Sequence, residues 1–434
     1  MSIKKKDTKI LPKLRFPEFR DAGEWKDTQL DKIGQTISGL SGKSGSDFGS
    51  GKPYVTYMQV FNGTMADPTK CGLVTVADNE KQNTLNRGDI LITTSSETSD
   101  EVGFASVLLD SPLEPLYLNS FCFSFRPNNL DELKPEFSRY LFRSPIYRKL
   151  ISVLAQGSTR FNISKGSFLN LKLPIPVDFK EQQKIADCLS SLDDLINAQS
   201  QKLDALKAHK KGLMQKLFPG EGEKVPRLRF PEFRSKGEWE VGNLGEICKI
   251  TSGGTPYRAE ENYWNGNIPW ITTSLIDFNT ICTANEYITE TALLNSSAKI
   301  FPKNTILMAM YGQGKTRGKV AILGIAAATN QACAAILLKD GFNTNFVFQS
   351  LATLYDHIRE LSNDGGQKNL SAALIETIPF AYPNIKTNEQ QKIADCLSSL
   401  DDLIMTQSQK LDILKVHKKG LMQGLFPAVN EINS

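Results

Sequence analysis

No apolar run in this sequence approaches the ~20 residues needed to cross a bilayer. The longest, Val320 to Ala328, stops at Thr329-Asn330-Gln331. The basic opening stretch, Met1 to Lys13, carries no apolar segment of the kind a secretory signal needs. A cytoplasmic protein with no membrane partner is the expectation. Histidine is scarce, at three residues, and none of the seven cysteines forms a Cys-x-x-Cys pair. Neither a zinc ribbon nor a disulfide framework is therefore expected, and reduced thiols without a metal site are the simplest reading.

Catalytic signatures are missing as well. No proline is followed by Asp or by another Pro. That removes the start of a PD-(D/E)xK nuclease motif and the [DN]-P-P-[YF] motif with which adenine methyltransferases hold a flipped base. Gly314-Lys315-Thr316 and Gly42-Lys43-Ser44 look like the end of a phosphate-binding loop. The glycine required five residues earlier is Ala309 in one and Ile37 in the other, and strand-like Val320 to Leu323 follows the first. Outside the repeats described below, His357 is the one histidine left for a Ser-His-Asp arrangement. Gly253-Gly254-Thr255-Pro256 reads as a turn.

What is present is length and repetition. The 434 residues exceed one ordinary core, and 40% hydrophobic with 23% charged residues is ordinary for a globular chain. The net charge of +4 is concentrated at the start. Residues 1–20 hold seven basic and two acidic groups, whereas 21–180 hold 17 against 18 and 239–388 hold 11 against 12. The two large regions are thus not basic, and binding of a polyanion by them would need a partner or a few well-placed contacts.

EQQKIADCLSSLDDLI, Glu181 to Ile196, recurs unchanged at Glu389 to Ile404, an offset of 208. LRFPEFR occupies Leu14 to Arg20 and again Leu228 to Arg234, and Glu24-Trp25 returns as Glu238-Trp239. The order is block, divergent region, helix, twice over. The divergent regions share a skeleton. Arg87 to Thr93 parallels Lys303 to Ala309, Asn119-Ser120-Phe121-Cys122 parallels Asn330-Gln331-Ala332-Cys333, and Asn162-Ile163-Ser164 parallels Asn369-Leu370-Ser371. Strand-like stretches in the first (Tyr54 to Phe61, Ile90 to Thr94, Ala105 to Leu109, Phe121 to Phe125) accompany a helix near Glu136 to Leu154, matched by one near Asn345 to Leu361. The fold class expected is α+β with a pseudo-two-fold internal repeat.

Apolar residues at Ile185, Leu189, Leu192, Ile196, Leu203, Leu206, Leu213 and Leu217 alternate steps of four and three, with Gln199 and Lys210 in the missing seam positions. The second copy repeats them at Ile393, Leu397, Leu400, Ile404, Leu411, Leu414, Leu421 and Leu425, interrupted by Gln407 and Lys418. Each helix could run ~38 residues, ~57 Å. Each could simply pack on its own domain, or the two could pair as a coiled coil. Glu181, Asp187, Asp193 and Asp194 crowd the helix start, and Lys202, Lys207, Lys210, Lys211 and Lys216 the end. Antiparallel pairing sets unlike charges together, so an antiparallel coiled coil is expected. Such a spacer could hold two modules about one DNA turn apart, roughly 34 to 36 Å, or further.

This arrangement resembles the specificity subunits of type I restriction-modification systems over nearly the whole chain. The resemblance rests on the duplicated LRFPEFR with its GEW, on the repeated helix start, on GGTPYRAEENYWNGNIPWI at Gly253 to Ile271 and on AATNQACAA at Ala327 to Ala335. A departure is the basic loop GQGKTRG at Gly312 to Gly318, which would tune recognition by that half. The resemblance implies a non-catalytic subunit with two target-recognition domains, 21–180 and 239–388, that read the halves of a bipartite double-stranded DNA target. An N-terminal block (1–20), a central spacer helix (181–218), a linker with the second block (219–238) and a C-terminal helix and tail (389–434) complete the expected domain plan. Two modification subunits would supply S-adenosylmethionine, restriction subunits would supply ATP and magnesium, and this chain would hold no cofactor. A protein scaffold that ignores DNA and a fused methyltransferase or nuclease are the competing classes.

Base edges are read by Arg and Lys at guanine and by Asn and Gln at adenine, with Ser and Thr serving either. Polar loops therefore supply the candidates: Lys43, Ser44, Thr94, Ser95, Ser96, Arg160, Asn162 and Lys165 in the first domain. Tyr257, Arg258, Gln313, Lys315, Arg317, Gln367 and Lys368 are their counterparts in the second. Each could equally be a solvated loop residue, and Asn162 and Asn369, in the shared skeleton, could fix backbone instead.

Overall fold

The computed structural model describes residues 10–312, 315–361 and 369–428. The chain divides into two units, Met1–Ser200 with Gln409–Ser434, and Gln201–Ser408. The boundary falls inside each of two long helices, a central one at Phe179–Leu217 and a C-terminal one at Glu389–Gly424.

The first unit is α+β. Its main sheet runs in the order Gly34–Ser38, Cys122–Pro127, Ile90–Thr93, Ala105–Val107, all antiparallel. Ile90, Ile92, Phe123 and Phe125 alternate onto the face covered by the helices Pro135–Leu141 and Pro145–Val153. A smaller sheet of Gly72–Val74, Phe48–Val55 and Tyr117–Leu118 stands over the other face, where Leu91 and Cys122 join Val55 and Leu118 in a second core. A ribbon of Lys26–Gln29 against Lys172–Ile175 closes the unit beside the central helix.

The second unit repeats this plan on different residues. Cys248–Ser252, Cys333–Leu338, Ile306–Ala309 and Val320–Leu323 form the corresponding sheet, extended by the parallel strand Thr280–Ile281. The smaller sheet is Glu286–Ile288, Trp264–Ile271, Ala327–Thr329 and Ile300–Phe301, and the ribbon pairs Glu240–Asn243 with Pro379–Tyr382. Shared backbone devices account for the skeleton seen in sequence. Asn119 and Asn330 each accept the amide two residues on, and Ser164 and Ser371 each cap a short helix.

Two sequence expectations are corrected. Tyr54 to Phe61 is not one strand: the strand ends at Val55, and Tyr57–Asn62 is a short helix because the Thr56 side chain accepts the Gln59 amide at its start. The single helix expected at Glu136 to Leu154 is two, divided where Ser144 caps the second and Pro145 opens it, and the one at Asn345 to Leu361 is likewise broken into Thr344–Thr353 and Tyr355–Glu360.

The repeated sequence blocks meet in one constellation per unit. Arg15 of the first LRFPEFR forks onto both oxygens of Glu181 at 2.7 Å, and the Trp25 indole donates to the same carboxylate at 3.2 Å. Arg229 repeats the fork onto Glu389 at 2.7 Å, with Trp239 at 3.3 Å. The two carboxylates are buried, and the third arginine donor goes to a carbonyl, Gly23 or Gly237. Arg-x-x-x-x-x-x-x-x-x-Trp and the Glu that opens EQQK are therefore one structural device.

Within each unit the helix segments run antiparallel. In the first, Ile185 and Leu189 share a core with Leu425 and Phe426, while Lys418 reaches back to Asp193. In the second, Ile393 and Leu397 pack with Leu217 and Phe218, and Lys210 meets Asp401 at 2.6 Å. Each segment thus also packs on a domain, and in each unit one acidic residue near a helix start pairs with a lysine near the end of the other helix. Along both helices the seam positions at Leu192, Ile196, Gln199, Leu203 and Leu206, and at Leu400, Ile404, Gln407, Leu411 and Leu414, are buried or half-buried.

Candidate nucleic-acid interface

The first unit carries an open cleft of about 380 Å³ beyond the end of its main sheet. The helix Tyr57–Asn62 forms one wall. Tyr57 and Phe61, four residues apart, land on one helical face and stack at 5.9 Å. The segment after strand Ile90–Thr93 forms the other wall, with Ser95 and Ser96 paired to Phe161–Asn162. Phe121, 57% exposed, and Arg160 stand at the mouth.

Both walls are pinned from behind by arginines of the broken helix region. Arg143, mostly buried, donates to the carbonyls of Val60, Phe61 and Gly63 at the end of the wall helix and to Ala105. Burial pulls its guanidinium down to about 10, so it stays charged at neutral pH. Arg148 donates to Asp100 and Val102 in the opposite wall, and both guanidinium groups stack on Phe104 at 4.6 and 4.3 Å. The cleft is accordingly built before any ligand arrives.

Of the residues chosen from sequence, Ser95, Ser96 and Arg160 are brought together in this cleft. Thr94 lies at its edge, but its hydroxyl donates to the Phe121 carbonyl at 2.5 Å and its own carbonyl accepts the Ile163 amide. Asn162 exchanges backbone hydrogen bonds with Gln156 and fixes the turn that presents Arg160. Lys165 donates to the Ser38 hydroxyl. Lys43 and Ser44 lie on a different loop. The Lys43 side chain is only 8% exposed and pairs with Glu80 at 2.5 Å, which holds that carboxyl below its usual range, and Ser44 is spent in a capping box with Asp47. In this structure Lys43 anchors its loop through Glu80.

In the second unit Tyr257 is 72% exposed beside Arg258. Arg258 is bidentate to Glu286 at 2.9 and 3.0 Å and lies on Trp264 and Trp270, so it orders the loop from which Tyr257 projects. Lys315 is exposed, its carbonyl held by the Tyr355 hydroxyl. Arg317 is buried and donates to the Arg359 carbonyl. Gln313, Gln367 and Lys368 lie outside the described residues.

Sequence reasoning missed Tyr57, Phe61, Phe121 and Glu101, all of which line the cleft. A Phe standing at 121 where the parallel block has Ala332 was the available signal. Among the described residues, no cluster of His, Cys, Asp or Glu is arranged to hold a metal, and no helix is long and apolar enough to cross a membrane.

Comparison with known proteins agrees with this architecture. The chain is 25% identical over 416 residues to a putative type I restriction enzyme MjaX specificity subunit from Methanocaldococcus jannaschii, covering 93% of each. It is 31% identical over 194 residues to the MjaIX specificity subunit of the same organism, a match spanning 44% of each chain. Over 174 residues it is 30% identical to the EcoR124I/EcoR124II specificity subunit of Escherichia coli, covering 39% of this chain and 42% of that one. The S subunit of a type I restriction-modification system from M. genitalium shares the fold at 19% identity, with a TM-score of 0.61 over 97% of this chain and all of that one. The family described as type I restriction modification DNA specificity domain matches residues 23–208 and 236–415, so this chain belongs to that family and carries its domain twice.

Proposed function

We propose that this chain is the non-catalytic DNA-reading subunit of a type I restriction-modification complex, each unit reading one half of a split double-stranded target. The observation that carries this is a division of labour between duplicated and divergent side chains. The Arg-Trp-Glu constellation and the helix seams are the same in both units, whereas Ser95, Ser96 and Phe121 stand where the second unit has Tyr311, Gly312 and Ala332. Identical parts hold and orient, and divergent parts read. The long helices are the spacer and the surface on which two modification subunits and the restriction subunits dock. S-adenosylmethionine, ATP and magnesium belong to those partners, and the complex works in the cytoplasm. The near-neutral recognition regions fit a reader whose partners supply much of the phosphate contact.

The test is an exchange of residues 21–180 for the corresponding region of another specificity subunit, followed by mapping of methylated adenines in cells carrying the assembled complex. One half of the split motif should change and the other should stay. A change in both halves, or in neither, overturns the two-reader function.

A further inference from the structure

The chemistry of the first unit's cleft restricts what can enter it. Two carboxylates, Glu97 and Glu101, line it and repel phosphate oxygens, so the DNA backbone is not its ligand. Glu101 is the fixed one: Oε2 accepts from the Ser96 hydroxyl at 3.2 Å, which leaves Oε1 for a donor from outside. In DNA the donors at base edges are amino groups, and a carboxylate in the major groove matches the N4 amino group of cytosine. Arg160 adds the complementary half. Among the described residues its guanidinium makes no hydrogen bond or ion pair, and it is exposed at the mouth of the same cleft. A free guanidinium matches the O6 and N7 acceptors of guanine.

We infer that this cleft reads one cytosine–guanine pair in the half-site of the first unit, Glu101 accepting from cytosine N4 and Arg160 donating to guanine O6 and N7. The inference rests on the DNA-reading function proposed above. Tyr57, Phe61 and Phe121 provide the apolar wall that excludes water from these contacts, and Arg143 and Arg148 are positioning residues that keep the two walls apart. A thymine–adenine pair in the same place would put a carbonyl oxygen against Glu101, which is repulsive, and would leave Arg160 one acceptor short.

The experiment is methylation mapping with the complete complex of this chain and its modification subunits, comparing the parent with Glu101→Gln and Arg160→Ala. The parent should show a cytosine–guanine pair in the first half-site at which Arg160→Ala lowers discrimination by about 5- to 150-fold, the range of one bidentate contact. Glu101→Gln should shift tolerance at that same pair toward adenine, because an amide both donates and accepts. The second half-site should be untouched in both, which also shows that the variants assemble. Should Glu101→Gln fail to accumulate, Glu101→Asp keeps the charge and must retain the preference for cytosine. A split motif that both variants leave unaltered overturns the cleft assignment while leaving the two-reader function standing. A parent complex that yields no split motif overturns both.

Discussion

Glu389→Gln should unfold the second unit at a markedly lower temperature. The Glu389 carboxylate is 1% exposed and takes two 2.7 Å hydrogen bonds from Arg229, itself 7% exposed, together with the Trp239 indole at 3.3 Å. At an effective dielectric near 20, unit charges about 4 Å apart attract by about 4 kcal/mol. Deleting one member of a buried pair costs about 3 to 5 kcal/mol, because the survivor stays buried without its counter-charge. For a unit of this size each kcal/mol moves the midpoint by roughly 2 to 4 °C, so a drop of about 6 to 20 °C is expected by calorimetry or circular dichroism. The pair Arg229→Met with Glu389→Leu separates charge burial from packing. It should recover part of the loss, falling short by the ~1–3 kcal/mol of a Trp239 N–H left without an acceptor. A shift under about 2 °C for Glu389→Gln, or a double variant no more stable than the single one, would refute the reasoning.

Two further outcomes follow from burial. Cys282 is exposed, while Cys122, Cys248 and Cys333 are buried, and burial pushes the Cys248 and Cys333 thiols up to about 12. A thiol reagent at pH 8 should label Cys282 in the folded protein and reach the other three only on denaturation, as read by peptide mass mapping; rapid native labelling of Cys333 would contradict the core described above. Asp27 is half-buried in the ribbon, its Oδ1 unpartnered, and burial raises its carboxyl above the usual range despite nearby Lys172. A raised carboxylate favours folding when protonated and costs stability as pH rises through its folded value. Asp27→Asn should therefore raise the midpoint at pH 7 by an amount that shrinks as pH falls through that range. A lower midpoint at pH 7 would show that the charge is stabilising.

What was legible in the sequence is what repeats or depends on near neighbours. The seam of each long helix could be numbered residue by residue, because side chains three and four apart must share a face. The opposed direction of the helix segments followed from charge placed at their ends, and the structure adds the particular pairs, Lys210 with Asp401 and Lys418 with Asp193. Local reasoning failed where a single cap outweighed composition. The Tyr-Met-Gln-Val-Phe run from Tyr57 has strand-like residues, yet the Thr56 cap and the Arg143 clamp on its terminal carbonyls make it a helix. The intramolecular partners of Arg317 and Lys43 were not legible, because polarity in a loop does not reveal whether a partner waits nearby.

By itself the sequence determined that this protein is one module used twice, with a conserved frame around divergent surfaces. The tertiary structure alone decided how that frame closes. In the first unit the Leu14 amide bonds to the Gly424 carbonyl, and Trp25 packs edge-on against Phe426, so the opening block and the end of the last helix are built into one core. The second unit makes the same contacts from adjacent chain, Leu228 to Lys216 and Trp239 to Phe218. Repetition is visible in a string of residues because it is a property of order. Closure is not, because an aromatic core is indifferent to how far apart in the chain its members lie and answers only to which surfaces remain to be buried.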